Sequence, residues 1–562
     1  MNRLCHILMG CLSVGTLMLQ HSFAFSQNGA STISGTAGGQ SQAALANAST
    51  SDTELAATPP MGWGSWNHFF CDYTDETIRA QADALVSSGM RELGYKYVEI
   101  QECIAPARDK QGNLIVDSKR FPHGMKSLVD YIHSRGLKAG IYTNVGPYTC
   151  YERENEHYAG SFEHEDQDAA TFASWGIDFI FEDYCNKPEA HTGRELYERM
   201  ASAIHKTGRP MILYICSWGN ENPWIWGHAV GQVWRTDSDL SADPDKGEWD
   251  RVVRNFESNG RHAIFSAPGG WNDPDMLEVG NRGLTDNEAQ SHFSMWAISA
   301  APLVAGNDLA NMSETTRAIL SNRDAIAIDQ DPLGAQGVKI RGSSTGEEVW
   351  AKPLESRTGG SYAVLLVNFS RVPKKVTVQW TELGLEGSAT VYDVWTHQNH
   401  VGVSQGYAVD LAPHESALLK VSGKLDWDKG GYYAAVWPGN ALSSDAAISE
   451  CADCSYGYAV RLPGQTHSEL RFPGIDVNAE GTYSLSIAYM YPPSYDSDNS
   501  GDESKVEMLI DDTEPVIYPL PGYRHGTITV ERRLHKGHNS VLLRVETTKG
   551  AIYIESLGIA RH

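Results

Sequence analysis

The sequence predicts a (β/α)8 barrel followed by two all-β sandwich domains. Three observations carry that expectation. Strand-like and helix-like runs alternate eight times between residues 56 and 332. Alternation of this kind builds a parallel sheet, and eight units in about 270 residues suit a closed barrel. From residue 333 to 424 the pattern changes to short β-rich runs separated by Gly, Ser and Asn, and a second such series fills 428–562. A doubly wound open sheet is the alternative for the first part, but no GxGxxG follows the first strand.

Taken in order, residues 1–26 read as an export signal. Arg3 precedes the apolar run Ile7 to Leu19, and small residues near Ala24 and Ser26 offer a cleavage site. The apolar run is short for a transmembrane span, and no later run qualifies. Residues 27–55, rich in Gly, Ser, Ala and Gln without periodicity, read as a flexible leader. The mature protein is therefore expected to be secreted or periplasmic.

The barrel begins with "MGWGSWNHF". "YKYVEI" then follows an amphipathic run, and "LKAGIYTNVG" follows "MKSLVDYIHSRG", whose Gly136 is a helix stop. "IDFIFEDYC" and "PMILYICSWG" each follow a helical run closed by Gly, and "GQVWRTDSD", "HAIFSAPGGWND" and "APLVAGNDL" complete eight strands. In the first sandwich the strand-like runs are "EEVWAKPL", "SYAVLLVNFS", "KKVTVQW", "ATVYDVW" and "SALLKVSG". The last domain carries seven more, from "YGYAVRLPG" to "AIYIESLGI".

Hydrophobic residues make up 41% of the chain and charged residues 20%, which places it among globular proteins. A net charge of −25 argues against nucleic acid or an anionic membrane surface as partner, and fits a neutral one. Two of the nine cysteines, Cys5 and Cys11, fall in the expected export signal, so an odd number remains. Cys451 and Cys454 form a lone CxxC with no second pair or His cluster, so a local disulfide is expected there rather than a metal.

Catalytic groups of such a barrel sit at the C-terminal ends of the strands. Those ends offer Trp63 and Trp66, Gln101 and Glu102, Tyr142 and Asn144, Glu182 and Asp183, and Ser217 and Trp218. After them come Arg235, Asp237 and Asp239, then Trp271, Asn272, Asp273 and Asp275. There is no GxSxG elbow, HExxH or phosphate loop, and nothing implies a cofactor. Paired acids among aromatic platforms are the equipment of glycoside hydrolysis. Alternate strand residues share a face, so Phe179, Phe181 and Asp183 point one way and Ile180 and Glu182 the other. If the two Phe residues face the barrel interior, Asp183 faces the pocket. Read alone, the stretch would be a strand end capping the next helix.

The stretches "TPPMGWGSWNHFFC", "RFPHGMKSLVDYIHSRGLKAGIY", "GPYTC", "GSFEHEDQDAATFASWGIDF", "VWRTDSD" and "GGWNDPDMLEVGN" resemble glycoside hydrolase family 27, the α-galactosidases and their relatives. The likeness runs over roughly 55–422. It implies an oligo- or polysaccharide substrate and a retaining reaction with Asp183 as nucleophile and Asp239 as general acid/base. Asp237 shares a face with Asp239 by parity, but only Asp239 has the family spacing. Trp66, Tyr142, Arg235, Asp275 and Met276 match sugar-subsite positions. The resemblance also implies the disulfides Cys71–Cys103 and Cys150–Cys185, which leaves Cys216 as the odd thiol.

The departures from the family fall on groups that read hydroxyls. Gln101-Glu102-Cys103-Ile104 stands where a galactosidase has Asp-Asp-Cys-Trp. Phe181 replaces a Lys, and Ser217 replaces an acid. Loss of the cation beside Asp183 is expected to raise its pKa. Gln101, Glu102, Phe181, Ser217 and Trp218 thus join the expected substrate contacts, around a pocket unlike the usual galactose pocket. Open alternatives are an isomaltose-releasing dextranase, a β-L-arabinopyranosidase (associated with Glu at the position of Glu102), a transglycosylase, or a carbohydrate-binding protein without activity. The last domain loosely resembles carbohydrate-binding module family 35, but lacks the acidic start that holds calcium in such modules.

Overall fold

The computed structural model describes residues 55–561, apart from 154–155, 241–247, 355–359, 426–430, 437–439, 452–453, 455–456, 465–467, 493–503, 522–524 and 548–549. The expected export signal and leader lie outside the described residues.

Eight parallel strands form the first unit: β1 (Met61–Gly64), β2 (Tyr97–Ile100), β3 (Lys138–Asn144), β4 (Phe179–Asp183), β5 (Ile212–Cys216), β6 (Val233–Arg235), β7 (Trp271–Asp273) and β8 (Leu303–Ala305). Their order in the sheet is β7-β6-β5-β4-β3-β2-β1-β8. The ring closes just beyond β7, where the Leu277 N–H donates to Val304 O at 2.8 Å and Leu277 pairs in parallel with Ala305. The helices between strands include α1 (Asp75–Ser87), α2 (Gly124–Ser134), α3 (Glu165–Trp175), α4 (Gly193–Thr207), the short α5 (Pro223–Trp226), α6 (Glu248–Gly260) and α7 (Asp286–Ser299).

Local chemistry explains the helix limits. Thr192 and Glu195 form a capping box at the start of α4, as do Thr285 and Glu288 at α7. The stop after α4 is Gly208, in the left-handed region that costs glycine nothing. Strand β7 is shorter than the run "HAIFSAPGGWND" suggested. Ala263–Phe265 forms a 3-10 turn instead. Pro268 and the left-handed Gly269 turn the chain within an isolated antiparallel bridge between Ala267 and Gly270, and parallel pairing begins at Trp271. Trp66 likewise stands on a helical turn, Trp66–Phe69, rather than on β1.

Inside the barrel the strands stack aromatic side chains in layers. Phe179 packs on Tyr97 and Tyr214, and Phe181 lies between Tyr142 and Tyr214 at centroid separations of 5.5 and 4.3 Å. Stacked pairs of this kind add about 0.5–1.5 kcal/mol beyond the area they bury. This fixes the inward face of β4.

The second unit is a six-stranded antiparallel sheet with a two-stranded partner, between Val338 and Leu425. It contains three strands beyond the five expected: Val338–Gly342, Asn399–Ser404 and Gly406–Leu411. All three are polar or half-exposed, so their alternation is weak. The last unit pairs a six-stranded with a five-stranded antiparallel sheet. Its buried apolar residues, among them Ala434, Val436 and Tyr458, are continuous with those of the barrel. Cys71–Cys103, Cys150–Cys185 and Cys451–Cys454 are disulfides, and Cys216 is a buried free thiol.

Candidate active site

Backbone strain gathers at the C-terminal ends of the barrel strands. Left-handed non-glycine residues occur after β2 (Glu102, Cys103), β4 (Asn186), β5 (Trp218, Glu221, Asn222) and β7 (Asp275). Each costs about 1–2 kcal/mol, and such residues persist where neighbours over-determine them, often at functional sites.

Asp183 ends β4 on the same face as Phe181 and is buried. Its Oδ2 accepts the Tyr142 hydroxyl at 2.7 Å, and its Oδ1 accepts the Tyr184 backbone N–H at 2.8 Å. The Cys150 Sγ lies 3.1 Å from Oδ2. Both sulfurs of the neighbouring Cys150–Cys185 pair are in a disulfide, so this cluster is not a metal site. Burial, and next the charge of Asp239, push the Asp183 carboxyl up to about 7, against the two hydrogen bonds that pull it down. Glu182 lies on the opposite face, toward the acids Glu165 and Asp168 of α3, and burial there raises it well above the carboxylate range.

Asp239 is the open member of the pair, with 64% of its side chain exposed. The fully buried Arg235 guanidinium holds it at 2.7 Å and also pairs with buried Asp275 at 2.9 Å. Asp275 accepts further N–H bonds from Leu240 at 2.5 Å and Met276 at 2.7 Å. Arg235 is thus committed to these two acids rather than to Asp183. Asp237 turns away: its carboxylate caps Ser238 and faces Arg254 of α6 at 3.7 Å.

The expected hydroxyl readers divide. Gln101 is used up within the protein, donating to Glu99 at 3.0 Å and accepting the Trp66 N–H at 3.2 Å. Gly64 lets it pack there, since a Cβ would lie 3.1 Å from both its Nε2 and the Met276 sulfur. Glu102 is buried and takes the backbone N–H groups of Cys150 and Tyr151, each at 2.9 Å. Ser217 donates to Asn220 O within its own turn. Phe181 contributes a ring to the floor. Trp66 packs edge-on against Phe70 and Tyr151, and Trp218 against Tyr184. The Trp218 indole N–H has no partner among the described residues.

Beside Asp183 lies an open cleft of about 630 Å³, lined by Tyr184, the Cys150–Cys185 disulfide, Asn186, Trp218, Asn220 and Glu221. Sequence reasoning missed Tyr184, Tyr214, Asn186, Asn220 and Glu221. Tyr214 could have been found by parity in "PMILYICSWG", because it shares the face of Cys216. Glu221 carried no such signal, because it sits in a loop. Its carboxylate accepts the Tyr184 hydroxyl at 2.6 Å and the Gly193 N–H that opens α4 at 2.8 Å.

The buried acids set a pH dependence of stability. Asp183 and Asp275 are pushed up to about 7, and Glu99 and Glu278 to about 8, chiefly by burial. The folded protein therefore holds protons that the unfolded chain has released, and the stability these groups contribute is lost as pH rises toward 8. His228, His262 and His292 are buried neutral, the last two lowered to about 4 and 3, so they oppose this trend only below their ordinary value of 6.5. Between pH 6.5 and 8 these carboxyls dominate, opposed only toward pH 8 by buried Lys352, which is lowered to about 8, and Tm is expected to fall across that window. Calorimetry at three pH values checks this; a Tm that does not fall would mean the acids are already ionised at pH 6.5.

Residues 58–331 match the family model described as "Alpha galactosidase A", and residues 344–421 that described as "Alpha galactosidase C-terminal beta sandwich domain". An alpha-galactosidase of Oryza sativa subsp. japonica is 42% identical over 65% of this chain and 84% of its own. Alpha-galactosidase A of Cellvibrio japonicus is 47% identical over 56% of this chain and 77% of its own. The crystal structure of alpha-galactosidase I from Mortierella vinacea is similar at a TM-score of 0.62 and 33% identity, covering 66% of this chain and 99% of that one.

Proposed function

The chain belongs to the alpha-galactosidase A family, glycoside hydrolase family 27, and from that premise we propose that it is an exported, exo-acting retaining hydrolase of terminal α-galactosides. One observation carries the reading. Asp183 sits at the end of β4 with its two oxygens oriented by Tyr142 and Tyr184, and it feels the charge of the exposed Asp239. In the proposed first step Asp183 attacks the anomeric carbon as nucleophile while Asp239, as general acid, gives a proton to the leaving oxygen. Water then enters, Asp239 takes its proton, and the sugar leaves Asp183 with net retention. We read the cleft beside Asp183 as the leaving-group side of this pocket, because it is the open space next to the nucleophile. The three disulfides support export to an oxidising compartment.

A second reading has a specific observation in its favour. The aromatic floor at Phe181, and the engagement of Gln101, Glu102 and Ser217 with protein groups, suit a glycone with different hydroxyls. The test is turnover of an aryl α-galactoside, with NMR of the first-formed anomer. Rapid release of α-galactose supports the proposal. Release of the β-anomer would overturn the retaining mechanism. No release, with turnover of isomalto-oligosaccharides or β-L-arabinopyranosides, would replace the glycone and keep the mechanism.

A further inference from the structure

The loop Ser217–Asn222 after β5 forms one wall of the cleft, and Trp218, Gly219, Glu221 and Asn222 are all left-handed there. A six-residue turn with three non-glycine residues in that region holds its shape only if something outside it does the holding. The loop runs directly into α5, whose Trp224 donates its indole N–H to the Tyr458 hydroxyl of the last domain at 2.8 Å, in a buried bond. The Tyr458 ring packs edge-on against Phe265 of the barrel at 5.1 Å. At the surface, Asn222 donates to Glu450 at 2.8 Å. Glu450 and Tyr458 are cross-strand partners in one hairpin of the last domain.

The contacts continue inward. Trp226 donates to the Glu221 backbone carbonyl at 2.8 Å, the Glu221 carboxylate accepts the Tyr184 hydroxyl, and the Tyr184 N–H holds Asp183. We propose that the last domain braces the cleft. Tyr458, with Glu450 at the surface, is a positioning residue that fixes the strained loop and with it the leaving-group side of the sugar pocket. This rests on the reading of the cleft given above. The segments shared with the family models end at residue 421, so this brace lies outside them.

The test uses the full chain, with Tyr458→Phe, Trp224→Phe and the double variant. Each single change removes one end of the same hydrogen bond without emptying the site. Amide hydrogen exchange over 217–226 is expected to quicken about fivefold in either variant, as for loss of one buried hydrogen bond. KM for an α-galactosyl oligosaccharide is expected to rise about three- to tenfold with kcat within about twofold, on the same bond energy. The double variant should be no worse than the singles, since they share one bond. Unchanged exchange and KM would overturn the brace. So would faster exchange spread over the whole last domain, or faster loop exchange without a change in KM. If the wild-type protein cleaves no galactoside, the proposed function fails while the exchange measurement still decides whether the domain holds the loop.

Discussion

Asp183→Asn is expected to lower kcat/KM on whichever glycoside the protein cleaves by at least about 10⁴-fold, the scale of losing a covalent nucleophile. The substitution keeps the shape and one of the two orienting contacts. An Asn oxygen can accept from the Tyr142 hydroxyl or the Tyr184 N–H as Asp183 does. What it removes is the negative charge that attacks. It also removes a carboxyl held up at about 7 by burial and by Asp239. Above that pH the wild-type protein ionises this group at a cost to stability, so the variant should melt at an equal or higher temperature at pH 8. Steady-state kinetics and calorimetry on the same preparation check both parts. Full residual activity would remove Asp183 from the reaction, and a large fall in Tm at pH 8 would mean that its charge stabilises the fold.

Arg235→Met should have the largest effect on stability. Arg235 is buried, and its guanidinium bridges Asp239 and Asp275. Removing one partner of a buried ion pair costs about 3–5 kcal/mol, because the other charge is left uncompensated. Asp275 is that charge, at 5% exposure. The penalty should shrink at lower pH, where Asp275 can take up a proton. Activity should fall as well, since Asp239 loses the cation that orients it. Denaturant unfolding of the barrel at pH 5.5 and 8 measures the difference. Equal midpoints for variant and wild type at pH 8 would contradict the bridge.

Much of the fold was legible because it rests on local patterns. Gly136, Gly176 and Gly208 each follow a helical run and adopt the left-handed conformation that ends it. The run that became β4 alternates on a period of two, so it already separates Asp183 from Glu182. Strand β7 and the polar strands of the first sandwich were misjudged for a common reason. Their pairing depends on neighbours far along the chain rather than on their own alternation.

The pocket was less legible than the barrel. The sequence alone determined which residue types arrive at the C-terminal ends of the strands: two acids at the ends of β4 and β6, Arg235 between them, and Phe181 where a cation would stand in the family. Those facts are carried by strand parity and by spacing within a single element. Tertiary structure alone decided what those groups do. It turned Gln101, Glu102 and Ser217 onto protein partners, committed Arg235 to two acids, and brought Glu221 and Tyr458 into the chain of contacts that ends at Asp183. The physical reason is that hydrogen bonding, burial and charge depend on distances between residues remote in sequence. Glu102 and Cys150, or Trp224 and Tyr458, meet only after the barrel has closed and the last domain has docked.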